Sequence, residues 1–201
     1  FLGIKNVLAI SGDGNPKKTI QDGKSINNNS LELIHQIKNL SQGNYLHEIA
    51  NSSTIDMCVG IGCYPEKHAF SNDFDQEIDL LKQKIAAGAS YAVTQMFFDN
   101  DKYFAFVDRC RKENITIPII PGIKILDKPR QIDILPKLFN IELPDELHSE
   151  ALENIEHIQE IGTRWAIKQS EELINAGVPI IHYYLMNDSS SMLNILNHLH
   201  K

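Results

Sequence analysis

Short runs of apolar residues alternate along this chain with longer stretches in which apolar residues recur every three or four positions. Runs that are apolar almost throughout and bounded by turn residues are typical of parallel strands buried on both faces. The longer stretches have the period of amphipathic helices, and this alternation predicts an α/β protein with a parallel sheet. The predicted strands are Val7 to Ile10, Met57 to Ile61, Tyr91 to Phe97, Ile117 to Ile123 and Ile180 to Leu185.

Residues that can cap a helix precede most of the helical patterns. A Ser, Asp or Asn side chain at this position accepts hydrogen bonds from N–H groups that have no partner inside the helix. A longer helical pattern carries Leu152, Ile155, Ile158 and Trp165. The candidate caps of the other patterns are Ser30, Asp73, Asp75, Asp99, Asp127 and, before the last pattern, Ser189 or Ser190.

Four segments share a Gly or Asn that is followed by an apolar residue and then by a strand. Gly88, Asn114 and Gly177 each stand between a helical pattern and the next predicted strand. Gly or Asn just past a helix terminus adopts the left-handed conformation, so we expect a positive φ at these positions. Gly3 has the same context. We therefore expect the chain to begin in the last turn of a helix whose body precedes residue 1.

Two architectures accept five strand–helix units. One is an open doubly wound sheet, and the other is a (β/α)8 TIM barrel, which needs about 250 residues and of which these would be the last five units. An open sheet concentrates its ligand at one switch point, whereas polar residues here follow several strands, which favours the barrel. We therefore expect residues 1–201 to form the C-terminal five-eighths of one barrel domain. The polar residues are Ser11, Asp13, Tyr64, His68, Gln95, Asp99, Lys124, Tyr184 and Asn187.

The composition is that of an ordinary globular protein, and the charge narrows the set of partners. The chain has 201 residues, of which 42% are hydrophobic, and a formal net charge of −7. A nucleic acid or an anionic membrane would require a basic face, so neither is an expected partner. Without a membrane-length apolar run or signal-peptide order, we expect a cytoplasmic protein. Cys58, Cys63 and Cys110 fit no metal-ligand spacing and are expected to be reduced and buried.

The stretch Ser11-Gly12-Asp13-Gly14 follows the first predicted strand. Its glycines would let the backbone approach a ligand closely, and the Asp13 carboxylate could accept a hydrogen bond from an N–H of a bound ring. The alternative is a turn in which Asp and Gly serve only backbone geometry. The residues alone leave both interpretations open.

A second stretch, Cys63-Tyr64-Pro65-Glu66-Lys67-His68, combines an aromatic ring, charges and an imidazole around a rigid proline. Such a loop could bind a ligand, although a solvated loop has a similar composition. In the helix that follows, Glu77, Leu81 and Lys84 lie on one face. Lys84 could therefore reach a phosphate as a point charge, or pair with Glu77 on a solvated face.

Three later strands also end in polar residues. Gln95 interrupts an apolar strand, and its amide needs either backbone partners or a ligand that both donates and accepts hydrogen bonds. Lys124 is either a solvated lysine or a Schiff-base nucleophile. His182 and Tyr184 share one face of the last strand. We interpret His182 as a core residue and Tyr184 as the one that reaches a ligand.

Five segments together resemble methylenetetrahydrofolate reductase, the flavoprotein of folate metabolism. The motifs Tyr-Pro-Glu-x-His and Val-Thr-Gln-x-Phe-Phe-Asp are specific in combination, and the resemblance runs from Leu2 to about Asn187. It implies a (β/α)8 barrel that binds FAD without a covalent bond at the C-terminal ends of its strands. NAD(P)H would be the hydride donor and methylenetetrahydrofolate the substrate, giving methyltetrahydrofolate for methionine metabolism. A homo-oligomer is compatible with the resemblance. The segments are Val7 to Asp13, Cys63 to His68, Lys84 to Asp99, Ile119 to Ile123 and Gly177 to Asn187.

The resemblance also assigns roles to single residues. Asp13 matches a carboxylate beside the pyrimidine edge of the flavin. There it would disfavour the anionic reduced flavin and stabilise a cationic iminium form of the folate. Asp13 is therefore the expected catalytic residue. The positions expected to contact FAD are Ser11, Gly12, Asp13, Asn28, Tyr64, His68, Ser71, Glu77, Leu80, Gln83 and Lys84. The positions expected near the folate are Gln95, Gln131, Leu135 and Tyr184.

The sequence departs from the family pattern in ways that keep rival interpretations open. Ser11 stands where many members carry Arg, and Asp188 stands where several do. The glutamate that serves the family as general acid lies on the first barrel strand, upstream of the strands found here. We therefore expect this chain alone to be inactive. The rivals are a flavin- or folate-binding paralogue without turnover and a barrel aldolase that forms a Schiff base at Lys124.

Overall fold

In the computed structural model, strands and helices alternate along the chain. The structure describes residues 3–11, 20–21, 24–25, 27, 29–45, 52–66, 74–185 and 189–200. The strands are β1 (Asn6–Ala9), β2 (Ile20–Gln21), β3 (Lys24–Ser25), β4 (Cys58–Cys63), β5 (Tyr91–Met96), β6 (Ile119–Lys124) and β7 (His182–Tyr184). The helices are α1 (Ser30–Ser41), α2 (Phe74–Ala86), α3 (Asn100–Lys112), α4 (Gln131–Phe139), α5 (Asp145–Glu153), α6 (Ile158–Asn175) and α7 (Ser190–Leu199).

Five parallel strands form one sheet in the order β1-β4-β5-β6-β7. Each strand of this sheet joins the same growing edge as the chain proceeds, so strand order does not reverse among the described strands. A doubly wound sheet requires such a reversal at its switch point, and that alternative is therefore excluded. The sheet curls into a half-barrel, as expected for five successive units of a (β/α)8 barrel. β2 and β3 form a separate antiparallel pair that the apolar pattern did not predict.

The outer side of the sheet, which faces the helices, carries the main hydrophobic core. Val59 and Ile61 of β4 and Ile123 of β6 are fully buried there, in one cluster with Ile34 of α1 and Leu173 of α6. Burying an aliphatic side chain of this size contributes about 1.5–3 kcal/mol. This core therefore holds the helices against one face of the sheet.

A second apolar cluster covers the C-terminal ends of β5 and β6. Met96, Phe98 and Leu126 pack there against α4, α5 and the start of α6. Gly162 permits this close packing, because a methyl group at that position would overlap the carbonyl oxygen of Leu126. The indole Nε1 of Trp165 donates a hydrogen bond to the carbonyl oxygen of Phe98 at 2.9 Å. The loop after β5 is thus fixed to α6.

Glycines form the floor of the inner, concave face of the sheet. Gly60 is in register with Tyr91 of the neighbouring strand, and residues paired in parallel strands point to the same side. The Tyr91 ring lies against Gly60 and the Tyr184 ring against Gly122, so a side chain at either glycine would meet an aromatic ring. Gly62, by contrast, has open space where a side chain would begin.

The helix ends predicted at Gly88, Asn114 and Gly177 are confirmed, whereas the helix expected before Gly3 would lie outside the described residues. The φ angles are +67° at Gly3, +113° at Gly88, +59° at Asn114 and +82° at Gly177. Glycine adopts this conformation without steric cost, and asparagine tolerates it better than most residues. The backbone N–H of Ala89 donates to the carbonyl oxygen of Lys84 at 3.0 Å, which satisfies one of the last carbonyl groups of α2.

One predicted cap is confirmed and another is displaced by one residue. The Asp99 carboxylate accepts a hydrogen bond from the N–H of Asp101 at 2.9 Å and begins α3 as predicted. α1 is capped by Asn29 instead of Ser30, because the Asn29 amide oxygen accepts from the N–H of Glu32 at 2.9 Å. Ser30 is the first helical residue and is buried.

The long helical pattern through Trp165 is not a single helix. α5 ends at Glu153, and a 3₁₀ turn over Ile155–His157 separates it from α6. Leu152 is 55% exposed and Ile155 is 37% exposed, so these apolar residues do not continue the buried stripe that the pattern suggested. None of the helices in the described part of the chain is both long and apolar enough to cross a membrane.

The cysteines and the last strand differ from expectation in detail. All three cysteines are free thiols; Cys63 and Cys110 are buried, whereas Cys58 is only half-buried. β7 has three residues and excludes Ile180 and Leu185, which are 57% and 42% exposed. The apolar pattern therefore overestimated burial at both ends of this strand.

Candidate functional site

The C-terminal ends of the strands carry the loops from which the predicted site residues emerge. The described residues of the predicted site fall mainly into two regions. One, the β4–α2 corner, holds Tyr64, Glu77, Leu80, Gln83 and Lys84; the other, the β5–β7 edge, holds Gln95, Gln131, Leu135 and Tyr184. Five further site positions lie outside the described residues, so their roles stay predictions: Gly12, Asp13, Asn28, His68 and Ser71.

A small pocket in the β4–α2 corner brings together four of the six described positions expected to contact FAD. Its enclosed volume is about 10 Å³, the room of one water molecule, so it is a notch against which a ligand can pack. Gln83 is exposed and does not line it. The lining residues are Gly62, Cys63, Tyr64, Glu77, Leu80, Leu81, Lys84 and Phe106.

Lys84 is the cationic group among the lining residues of this pocket, which also include Glu77. It lies in the last turn of α2 and is only 8% exposed, so the predicted alternative of a solvated ion pair with Glu77 is wrong. Burial lowers the pKa of the Lys84 amine, and the nearby Glu77 and Cys63 oppose this shift. Because the ammonium forms no ion pair among the described residues, an anion in this pocket would stabilise its charged form.

Cys63 faces the same pocket but is not a nucleophile. Burial raises the pKa of its thiol well above the usual range, and the neighbouring Cys110 adds to the effect. A protonated, buried thiol is unreactive. Cys63 therefore serves as an apolar wall beside Lys84.

Ser11 and the start of α1 are joined by a hydrogen bond. The Ser11 Oγ accepts from the backbone N–H of Ser30 at 3.1 Å. This bond satisfies one of the N–H groups at the helix start that have no partner inside the helix. The described contact of Ser11 therefore links the loop after β1 to α1.

Gln95 lies at an irregularity in β5. The register of β5 against β6 shifts between Val93 and Met96, as in a β-bulge. The Gln95 Oε1 accepts from the N–H of Met96 at 3.0 Å, so the backbone satisfies the amide oxygen. Among the described residues the Nε2 group donates to no partner. The side chain can therefore act toward a ligand as a donor.

Gln131 and Leu135 occupy the helix after β6. The Gln131 Oε1 accepts from the N–H groups of Asp127 at 2.8 Å and Lys128 at 3.1 Å, which closes the turn before α4. Gln131, and not the predicted Asp127, therefore holds the start of this helix. Leu135 is buried in the second apolar cluster. Both residues therefore have contacts within the fold at the C-terminal side of β6.

Tyr184 spans three strands of the β5–β7 edge. Its hydroxyl donates to the carbonyl oxygen of Thr94 at 2.7 Å, and its ring passes over Gly122. Burial raises the pKa of Tyr184 to about 12, so the phenol stays protonated at neutral pH. His182 meets the Tyr184 ring edge-on, with 4.7 Å between ring centroids. This arrangement supports the prediction that His182 is a packing residue.

The family model described as methylenetetrahydrofolate reductase matches residues 1–200. The chain belongs to the methylenetetrahydrofolate reductase family. A probable methylenetetrahydrofolate reductase (NADPH) of Caenorhabditis elegans is 32% identical over 203 residues, which cover 98% of this chain and 28% of that protein. A 5,10-methylenetetrahydrofolate reductase of Buchnera aphidicola subsp. Schizaphis graminum is 32% identical over 196 residues, which cover 96% of this chain and 61% of that protein. The chain thus spans less than two thirds of these relatives.

A solved structure supports the fold of this reductase-family chain. An uncharacterized protein from Clostridium thermocellum that binds two copies of 5-methyl-5,6,7,8-tetrahydrofolic acid matches with a TM-score of 0.51 and 21% identity. The match covers 70% of this chain and 52% of that chain. With the family match, it confirms the predicted (β/α)8 fold class, of which this chain forms a portion.

Glu66, in the loop after β4, makes contacts that the sequence did not predict. Its Oε2 accepts from the N–H of Glu142 at 3.0 Å, whereas Oε1 is buried without a hydrogen-bond partner in the described structure. Burial raises the pKa of the Glu66 carboxyl. The motif marked Glu66 as unusual, but its partner is 76 residues away, and no local pattern reveals such a contact.

Proposed function

We propose that this chain forms part of the catalytic domain of an FAD-dependent methylenetetrahydrofolate reductase that uses NAD(P)H. The observation that carries the proposal is the gathering of Tyr64, Glu77, Leu80 and Lys84 around one pocket of a family member. In this proposal, residues 1–201 supply the last five of eight β/α units, and the chain alone is inactive. Relatives named for NADPH and for NADH both match, so either nucleotide is compatible.

The residues of the β4–α2 corner fit the chemistry of FAD. Gly62 leaves open space beside Tyr64, which would let a ring system approach the backbone. The buried Lys84 amine is a suitable partner for a phosphate, and the phosphate charge would offset the effect of burial. When bound, FAD would supply hydride transfer between NAD(P)H and the one-carbon unit of methylenetetrahydrofolate.

The residues of the β5–β7 edge would bind and orient the folate. The Gln95 amide can donate through Nε2, while Leu135 and Tyr184 provide apolar and aromatic surface. The hydrogen bonds of Gln131 and Tyr184 to the backbone hold these walls in place before a ligand arrives. Such preorganisation reduces the entropy that binding must remove.

Asp13 is the proposed catalytic residue. A carboxylate beside the folate would stabilise the positive charge of the iminium form from which methyltetrahydrofolate is produced. Asp13→Asn keeps the size of the side chain and removes the charge. We expect turnover with methylenetetrahydrofolate to fall tenfold or more in the full-length protein, equivalent to about 1.4 kcal/mol. Unchanged turnover would remove Asp13 from the mechanism.

The decisive experiment is purification of the full-length gene product that contains these residues. We expect bound flavin whose absorbance bleaches with NADH or NADPH and returns when methylenetetrahydrofolate is added without oxygen. Retained flavin with no folate turnover would instead support a binding protein, and a colourless protein that forms a borohydride-trapped adduct at Lys124 would support an aldolase.

A further inference from the structure

Lys124 ends β6 on the concave face of the sheet. It is paired in register with Tyr184 of β7, so the two side chains lie on the same side of the sheet. The preceding residue, Ile123, packs in the outer core. Lys124 is only 8% exposed, which excludes the alternative of a solvated strand-end lysine.

The hydrogen bonding of Lys124 is incomplete within the described part of the chain. Its Nζ donates to the carbonyl oxygen of Tyr184 at 3.4 Å, beyond the usual 2.7–3.2 Å of such bonds. An ammonium group carries three donors, and no described carboxylate pairs with this one. The exposed Lys82 and Lys102, in contrast, pair with Glu113 and Glu142 at 2.7 and 2.8 Å.

A buried ammonium with one long hydrogen bond is not explained by a contribution to packing. Taking an unpaired charge out of water is costly, and an apolar side chain of the same length would fill this position better. A bound ligand with an oxygen acceptor would satisfy the two remaining donors. Gln95, on the adjacent strand, also has only its donor group available. Both side chains thus have donor groups that acceptor atoms on the ligand would satisfy.

The place of Lys124 points to the folate and not to the flavin. It lies on β6, between Gln95 of β5 and Tyr184 of β7, whereas the proposed cofactor contacts gather around β4 and α2. We propose that Lys124 donates a hydrogen bond to the ring carbonyl oxygen of the reduced pterin. This inference rests on the proposed function. The ring, and not the charged glutamate tail, is expected there because the site is buried.

The test compares two ligands on the full-length protein. The ligands are 5-methyltetrahydrofolate and a reduced pterin that lacks the aminobenzoyl-glutamate tail, and calorimetry without oxygen gives the Kd of each. Lys124→Met removes the charge at similar length, Lys124→Arg keeps it, and Lys112→Met, on the exposed side of α3, is the matched control. Flavin content and the midpoint of thermal unfolding are recorded for every variant.

We expect Lys124→Met to raise the Kd of both ligands at least tenfold, with flavin content and folding unchanged. Lys124→Arg should lie in between, and Lys112→Met should match the wild type. A loss confined to 5-methyltetrahydrofolate would move the contact to the tail and overturn the ring assignment. Unchanged Kd values, or a Lys124→Met protein that does not fold, would overturn the proposal while leaving the proposed function intact. A wild-type protein that binds no reduced folate would overturn both.

Discussion

The β4–α2 corner and the β5–β7 edge differ in whether their polar side chains find partners within the protein. At the edge, Tyr184, Gln95 and Gln131 each use a polar atom to bind the backbone, at 2.7, 3.0 and 2.8 Å respectively. In the corner, Lys84 is buried without an ion pair among the described residues, and burial lowers the pKa of its amine. These three edge residues are therefore held by contacts within the fold, whereas no described residue pairs with Lys84, and an anionic ligand would supply that partner.

This difference separates stability from binding. Changes at the edge should lower the free energy of unfolding first, because they break contacts that the folded chain already makes. Changes in the corner should not lower stability but should weaken binding of an anionic cofactor.

Alanine substitutions at two glycines of the concave face should differ most in their effect on the free energy of unfolding. A methyl group at Gly122 would lie 2.5 Å from the Thr94 carbonyl oxygen and 2.6 Å from a Tyr184 ring carbon. We expect Gly122→Ala to lower the free energy of unfolding by about 1–3 kcal/mol. Gly62→Ala, which has open space, should change it by no more than about 0.5 kcal/mol but reduce flavin content. Urea unfolding and flavin absorbance measure both, and equal destabilisation by the two changes would contradict the contrast.

The Tyr184 hydroxyl tests the contribution of one edge contact. Tyr184→Phe removes the bond to Thr94 and should lower the free energy of unfolding by about 0.5–1.5 kcal/mol near neutral pH. Since burial raises the pKa of Tyr184 from 10.0 to about 12, this stabilisation is present below pH 10 and lost as the pH rises toward 12. The denaturant midpoints of the two proteins should differ at pH 7 and lie closer together at pH 11. A pH-independent difference would argue against this account.

The corner should respond in the opposite direction. Lys84→Met removes a charge that folding buries, so we expect stability at pH 7 to stay level or rise, while flavin content falls. Because the folded pKa lies below 10.5, the unfolded chain binds more protons, and wild-type stability should increase as the pH rises through that window. The variant should lack this increase. Lys82→Met, on the exposed side of α2, is the control for flavin content.

His182 should give the smallest effect. Burial lowers the pKa of its imidazole below 6.5, so the neutral ring stabilises the fold above pH 6.5, and this contribution is lost as the pH falls through the folded pKa. We expect the thermal midpoint of the wild type to fall more steeply between pH 7 and pH 5 than that of His182→Gln. Parallel pH profiles of the wild type and His182→Gln would show that titration of His182 does not affect the stability of the edge.

Local rules were sufficient for the helix ends and much of the strand order. The positive φ at Gly88, Asn114 and Gly177 follows from which residues tolerate that conformation, whatever packs around them. The Asp99 cap follows from its own side chain and the next two residues. Such features were predictable because each involves only neighbours in the chain.

Features decided by distant contacts were not predictable. The bulge that satisfies Gln95 depends on how β5 meets β6, and the turn that Gln131 closes depends on where α4 packs. Burial of Lys84 could not be distinguished from a solvated ion pair with Glu77, because the helical spacing is the same in both. The residue types of the site were thus readable from the sequence, but their hydrogen-bond partners were not.

The bond between Trp165 and Phe98 gives this protein an internal optical reporter. Trp165 is the sole tryptophan in the sequence, and its indole N–H is fixed to the loop that follows β5. The Lys168 ammonium lies 4.8 Å from the ring, close enough to influence its emission. Any movement of this loop away from α6 would change the fluorescence of a single known residue, so such a movement can be followed in real time without a label.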